Sequence, residues 1–348
     1  MTAVGPVALV RRYFTCPACD QGEFGADRIL GIDGYVTRGA SRMACLLGIQ
    51  RSFEKAEVAL REVAGWDLDE NTIRQLCHAT AARADSTREQ RATAEAFAAA
   101  DGDLEVQIDA GKINTLDGWR DVKVAVLDRR EPDAPVRPSE WDQRDLPAPS
   151  VRSVVAAVEE AAVFGERCAA EATRLGLTDP QEWSVLGDGA EWIWNLAEQR
   201  FPGASQCLDF WHAAGHLGEG ANAAFGSGSG AAEAALDQGK KRLLEDGYCG
   251  VVEWIGELGL KLPPGGDGAA LGPVLNYFAG HQTRLNYVLR LRRGQSIGSG
   301  LVEGSIKQLL NVRMKQTGAR WKVEHVAPLV ELGALAAGPE WDAFWKQK

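Results

Sequence analysis

The apolar positions of this chain change rhythm several times, and each change marks a region. Between residues 36 and 100 apolar residues recur at intervals of three and four, the spacing of amphipathic helices. Residues 40–47 are compact and apolar. Ser52-Phe53-Glu54-Lys55 opens a second helix, with Ser52 as N-cap and Lys55 where a capping box would place Glu. That helix is predicted to run to about Val63. Gly65-Trp66-Asp67-Leu68-Asp69 predicts a turn, and Asp69 or Asn71 can cap a third helix from Thr72 onward. Two short helices joined through a glycine-containing turn fit a helix-turn-helix, although any αα-hairpin has the same pattern.

From Leu104 the rhythm becomes alternation. Leu104-Glu105-Val106-Gln107-Ile108-Asp109 predicts a strand that ends on Asp109-Ala110-Gly111-Lys112, and residues 119–127 predict its partner. The proline-rich, charged residues 130–150 predict a surface loop. A third strand at 151–158 and a helix at 161–175 follow. Residues 183–217 then read strand, helix, strand, helix. The apolar run Trp183, Val185, Leu186 stops at Gly187-Asp188-Gly189. Helical spacing from 190 to 200 is stopped by Phe201-Pro202-Gly203, and Cys207-Leu208 leads into Asp209-Phe210-Trp211-His212. Residues 218–295 break this pattern with a Gly/Ser/Ala tract at 226–230, helical spacing at 231–245, a Pro/Gly-rich break at 262–268 and helical spacing at 271–293, so a helical insertion is expected. Ile297-Gly298-Ser299-Gly300 is predicted to open a long helix carrying Glu303, Lys307, Arg313 and Lys315.

The expected class is α/β, in five segments. Residues 1–35 hold a Cys-x-x-Cys. Residues 36–100 are helical. Residues 101–217 form the first part of the core, 218–295 the insertion, and 296–348 the Glu303 helix with a basic C-terminal region. A length of 348 residues suits about two domains of about 150 residues. There is no apolar run of about 18 residues and no signal-peptide pattern, so a cytoplasmic protein without a membrane partner is expected. Seven cysteines, an odd number, argue against a disulfide framework. Cys16-Pro17-Ala18-Cys19 is half of a zinc ligand set, which Cys45, Cys77 or His78 could complete only through folding.

Charge changes the picture in one place. A net charge of −10 taken alone speaks against nucleic acid. Yet residues 284–322 contain Arg284, Arg290, Arg292, Arg293, Lys307, Arg313, Lys315, Arg320 and Lys322, with Glu303 as their single acid. Such a basic tract in an acidic protein is a footprint for a polyanion. Within it Lys307, Arg313, Lys315, Arg320 and Trp321 are the candidate DNA contacts.

Three carboxylates stand out by context: Asp109 and Asp188 at strand ends, and Glu303 on the late helix. Ligands of open α/β sheets collect at strand ends. The order β-β-β-α-β-α-β-α, with acids on the first strand, after the fourth and on a late helix, is that of an RNase H-like core. Clustered carboxylates repel one another unless a cation sits between them. Mg²⁺, or Mn²⁺ in its place, takes carboxylate and phosphate oxygens together. Two such ions about 4 Å apart would stabilise both the attacking and the leaving oxygen of a displacement at phosphorus. Two other chemistries fit parts of the pattern. Asp209, His212 and His216, at i, i+3 and i+7, could form the ligand set of a zinc hydrolase, though no H-E-x-x-H supplies a base. A glycosidase with two carboxylates would use the tryptophans as sugar platforms but leaves the basic tract without a purpose.

Taken together, these motifs carry a family likeness. Asp109-Ala110-Gly111-Lys112 with residues 118–123, Gly187-Asp188-Gly189-Ala190-Glu191-Trp192-Ile193-Trp194, Asp209-Phe210-Trp211-His212, and Gly298-Ser299-Gly300-Leu301-Val302-Glu303 with Arg313-Met314-Lys315 and Gly318-Ala319-Arg320-Trp321 run through most of the chain. On these pieces the chain resembles the DDE transposases of bacterial insertion sequences, most of all the ISKra type related to the Mutator-like superfamily. The resemblance implies that Asp109, Asp188 and Glu303 are catalytic and bind the metal. It implies that Asp209 and His212 are the Asp-x-x-His signature that follows the second acid, with His212 beside Asp188 and not a structural zinc ligand. It further implies DNA partners, namely element ends and target, a homo-oligomer on DNA, a nucleoid-associated location, and an all-helical insertion between Asp209 and Glu303. Relatives commonly carry a longer N-terminal part, so an inactive DNA-binding remnant of such an enzyme is the alternative expectation.

Overall fold

The computed structural model describes residues 1–88, 93–180, 183–262, 268–338 and 340–346. Two small hairpins come first, β1 (Tyr13–Thr15) with β2 (Gly22–Phe24) and, after α1 (Gly25–Leu30), β3 (Ile32–Asp33) with β4 (Val36–Thr37). The helical spacing of the next region gives α2 (Arg38–Gln50), α3 (Phe53–Ala64) and α4 (Glu70–Ser86). Ser52 caps α3 by accepting from the Lys55 N–H. Asp69 caps α4 by accepting from Asn71 and Thr72, so Asp69 rather than Asn71 starts that helix. α5 (Thr93–Ala99) leads into the sheet.

The alternating stretches form β5 (Asp103–Thr115) and β6 (Gly118–Arg130), joined by a tight turn. β7 (Val151–Ala157), α6 (Ala161–Arg174), β8 (Trp183–Gly187), α7 (Glu191–Arg200) and β9 (Ser205–Leu208) complete a five-stranded sheet in the order β7-β6-β5-β8-β9. β6 is antiparallel to β5 and β7, whereas β8 is parallel to β5 and β9 parallel to β8. β5 does not end at Asp109 as expected. It keeps its antiparallel partner to Thr115, but its parallel partner stops at the pair Ile108 and Gly187. Asp109 is therefore the first residue of β5 with one side of the strand uncovered.

Both faces of the sheet are packed, which explains why the middle of β6, Val124 to Leu127, is continuously apolar. Val106, Ile108, Ala125, Leu127 and Val185 lie against a cluster that includes Phe164, Ile193 and Phe210. Val122, Val124, Val126, Val154 and Ala156 face the other way, with α2, α3, α4 and the C-terminal helices. The proline-rich residues 130–150 are not only surface loop. They contain a 3₁₀ turn (Pro138–Gln143) whose Trp141 packs edge-on against Phe210, with ring centroids 4.7 Å apart.

After β9 the chain is helical: α8 (Phe210–Phe225), α9 (Gly230–Leu260, bent at Gly247), α10 (Leu271–Gly280) and α11 (Tyr287–Arg292). The expected break at 262–268 falls partly outside the described residues. The expected long helix after Ser299 is absent. α12 (Gly300–Ile306) is short and passes into a π-helical turn, Lys307–Asn311. Packing supplies the reason. Leu310 is driven onto Gly111 of β5, where a Cβ would stand 2.4 Å from its Cδ1, and the extra residue in the turn makes that approach possible. α13 (Val323–Ala337) and α14 (Glu340–Lys346) close the second core. Among the described residues no helix is long and apolar enough to cross a membrane.

The sheet holds one unfavourable pair. Glu105 and Asp128 are cross-strand partners, both buried. Glu105 meets Arg290 at 3.3 Å, whereas neither Asp128 oxygen has a hydrogen-bond partner among the described residues. Burial first, and Glu105 second, push the Asp128 carboxyl up to about 8. The folded state thus holds a proton that the unfolded chain releases near pH 4, and stability should fall as pH rises from there toward 8. Asp128→Asn should flatten that slope and raise the melting temperature at pH 8.5 by about 2 °C or more. Thermal unfolding followed by circular dichroism across pH 5–9 checks this, and an unchanged slope contradicts it.

Candidate active site

Strand register builds the site. Ile108 pairs with Gly187, and Gly187 with Leu208, so Asp109, Asp188 and Asp209 stand in a row across three neighbouring parallel strands. Adjacent strands lie about 4.8 Å apart, which brings the backbones of these acids together before any side chain is considered. The Asp209 N–H donates to the Gly187 carbonyl at 2.8 Å and keeps the row in step.

The three acids then diverge. Asp188 accepts from the Ala190 N–H at 2.9 Å and so turns the chain into α7. Asp109 is half-buried and, among the described residues, accepts only from the adjoining Ala110 N–H. Asp209 is buried and fully engaged: Oδ1 accepts from His212 N–H at 2.7 Å, capping α8, and Oδ2 accepts from Ser299 N–H at 2.6 Å and Ser299 Oγ at 2.9 Å. Ser299 immediately precedes α12. A strand-end carboxylate therefore ties the start of the Glu303 helix to the sheet. Gln107, on the same strand face as Asp109, adds a second tie by accepting from Leu301 and Val302 N–H groups.

Deeper lies a buried polar chain. Glu105 accepts from Ser296 Oγ at 2.8 Å and from Gln107 Nε2 at 3.2 Å, and it pairs with Arg290. Arg290 also donates to Ser184 Oγ at 2.9 Å and to the Ser296 carbonyl. Each end of the segment from α11 to α12 is thus fixed to β5 or β8, and the exposed Glu303 is carried on the result.

Electrostatics shows which groups face each other. The Asp109 carboxyl is pushed up to about 6, first by burial and further by the charges of Asp188 and Glu303, against the Ala110 hydrogen bond and the imidazole of His212. Among the described residues no Lys or Arg pairs with Asp109, Asp188 or Glu303. These are oxygen donors with negative charge and no counter-charge, the donor type a hard divalent cation takes. As the side chains stand, no three His, Cys, Asp or Glu among the described residues are gathered closely enough to hold a metal ion.

Asp209 has both oxygens engaged in hydrogen bonds, and the rings of His212 and His216 lie 5.3 Å apart. His216 Nδ1 lies 3.0 Å from Glu219, and its ring stacks on Tyr277 with centroids 3.8 Å apart. Cys16 and Cys19 are exposed in the connection between β1 and β2, whereas Cys45 and Cys77 are buried in the second core. His78 faces His325, with ring centroids 5.1 Å apart.

The basic tract divides. Lys307, Lys315, Arg320 and Lys322 are exposed. Arg313 is not the expected DNA-facing cation. It is 4% exposed, donates to the Gly48 carbonyl at 2.8 Å, and lies between the rings of Phe53 and Trp321. Burial pushes its guanidinium down to about 10. Trp321 is also structural: it pairs with the β5 hairpin through Asn114 and Leu116 and donates its indole N–H to the Met314 carbonyl. Arg290 belongs to the buried chain described above. Gln107, Ser299 and Tyr277 were not foreseen from the sequence; Gln107 alone left a signal there, as a polar residue at an inward strand position.

No protein-family model matches the sequence, and no curated protein matches it significantly.

The Asp209 tie generates a stability prediction. Asp209→Ala strands three donors, two of them on buried Ser299, and should cost about 2–4 kcal/mol, while Ser299→Ala should cost about 1 kcal/mol. Urea unfolding of both variants measures this. Equal, negligible losses would mean that the tie does not hold α12.

Proposed function

We propose that the chain is a DNA transposase of the DDE type with an RNase H-like catalytic core. The observation that carries this reading is the row of strand-end carboxylates Asp109 and Asp188, with Glu303 near enough for its charge to act on Asp109. Asp109 and Asp188 lie at the ends of neighbouring parallel strands, Glu303 lies on a helix whose start is tied to Asp209 and Gln107, and the charges of Asp188 and Glu303 both bear on Asp109 with no Lys or Arg paired to it among the described residues. The succession β5-β6-β7-α6-β8-α7-β9-α8 supports the RNase H-like reading, since it repeats the order expected of that core.

The donor set suits the implied metal. Mutually repelling carboxylates, two of them half-buried, become jointly ionised when a divalent cation joins them. Asp109, Asp188 and Glu303 would hold Mg²⁺ or Mn²⁺, which supplies charge stabilisation and an activated water for in-line displacement at phosphorus. Asp209 keeps α8 and α12 in register beneath that centre. His212, exposed on the first turn of α8, stands on the substrate side and offsets some of the negative charge at Asp109. In this reading cleavage at an element end frees a 3′-hydroxyl, which attacks target DNA. The paired helices α3 and α4 supply further DNA contact, and the protein works as a homo-oligomer at the nucleoid.

A duplex carrying the ends of the genomic element, incubated with Mg²⁺ or Mn²⁺, tests this. Asp109→Asn, Asp188→Asn and Glu303→Gln should each lower strand cleavage by at least about 10²-fold, the scale of losing one preorganised electrostatic group, with the fold and DNA affinity retained. Zinc alone should not support cleavage. Binding without cleavage in the unaltered protein would mean an inactive remnant.

DNA binding itself rests on the exposed cations. Replacing Lys307, Lys315, Arg320 and Lys322 by Gln should reduce the slope of log affinity against log salt by about 0.9 for each phosphate no longer neutralised. Arg313→Gln should instead destabilise the fold and leave that slope alone. An unchanged slope in the fourfold variant places the DNA elsewhere.

A further inference from the structure

We propose that Tyr277 is a further catalytic residue: its hydroxyl donates a hydrogen bond to a non-bridging oxygen of the phosphodiester held against Asp109 and Asp188. This rests on the transposase reading above and names a part of the helical insertion that acts in it.

Tyr277 lies on α10, far in sequence from the acids. Its Oη is buried and has no hydrogen-bond partner among the described residues. The hydroxyl rests directly over Gly189, the residue after Asp188. A Cβ at Gly189 would stand 2.4 Å from Tyr277 Oη, and its φ of +92° is one that side chains rarely adopt, so glycine is required on both counts. The phenol is clamped on several sides. His216 stacks at 3.8 Å with the rings 33° apart, His281 meets it at 4.8 Å and 61°, and Phe278 at 5.4 Å and 86°. The hydroxyl is thereby aimed by packing rather than by a bond of its own.

A buried donor without a partner destabilises the fold that holds it. Asp188 does not relieve it, since its Oδ1 takes the Ala190 N–H and neither of its oxygens accepts from the phenol. The carboxylates whose charge reaches the phenol are Asp188, Asp209 and Glu219, all acceptors. An incoming phosphodiester is also negative and offers acceptors alone, so it needs donors placed in advance. A neutral O–H fixed beside the acids supplies one without adding charge, and such fixed donors act most strongly on charge that builds up in the transition state. No bond is made or broken at Tyr277, and its proton stays on the phenol.

Tyr277→Phe keeps the ring and removes the unpartnered oxygen. The variant should melt at or above the temperature of the unaltered protein, bind the end duplex with unchanged affinity, and cleave it about 10²-fold more slowly, the scale of losing one oxyanion-type donor. A second readout does not need cleavage. With ζ-¹³C-tyrosine labelling, the resonance missing from Tyr277→Phe identifies Tyr277, and it should move when the duplex is added with Ca²⁺ in place of Mg²⁺. An unmoved resonance, or an unaltered cleavage rate in Tyr277→Phe, overturns the proposal. A moved resonance in a protein that does not cleave would uphold the contact and contradict the transposase reading instead.

Discussion

The carboxylate of Asp209 holds together what the rest of the site requires. It ends β9, caps α8 through His212 N–H and fixes Ser299 ahead of α12 with two further bonds. Two adjoining elements, β9 and α8, and a third from far along the chain meet at one buried carboxylate. A buried charge is tolerable only when hydrogen-bonded, and here both oxygens are. Because Ser299 is fixed, α12 starts at a defined point over β5. Because α12 is fixed, the charge of Glu303 reaches Asp109 although nearly 200 residues separate them along the chain.

Beneath this tie the sheet gives up stability. Glu105 faces Asp128 across two strands, and only Glu105 finds a cation close enough to hydrogen-bond. The same Glu105, with Gln107 and Arg290, anchors the segment leading to Glu303. A polar chain inside a packed sheet is costly when incomplete. That Asp128 is left out suggests that the arrangement serves the placement of residues 290–303 more than the sheet itself. Above the sheet the acids repel each other without a counter-charge, which is the condition that a bound cation and a fixed donor such as Tyr277 would relieve.

Much of this was legible in the sequence, for local reasons. Asp188 and Asp209 follow short apolar runs at Gly or aromatic boundaries, and both lie at strand ends. Ser52 and Asp69 cap as their types prescribe. What was not legible depends on contacts between distant segments. β5 runs past Asp109 because β6 remains beside it after β8 has stopped, and alternation within β5 cannot reveal a neighbour's length. The helix after Ser299 breaks into a π-helical turn because Leu310 packs on Gly111, far earlier in the chain. Arg313 and Arg290 looked like members of one basic surface, yet charge along a chain does not show which guanidinium meets Gly48 or Glu105. Tyr277 left no trace at all, since its meaning lies in Gly189.

Sharing of a divalent cation by Asp109 and Asp188 is the central claim. Crystals grown with Mn²⁺ and measured at wavelengths on both sides of the manganese absorption edge test it most directly. The predicted result is an anomalous peak at oxygen-ligand distance, about 2.0–2.2 Å, from carboxylate oxygens of both residues. An ordered site with no peak there, or manganese bound only by His212 and His216, would contradict it.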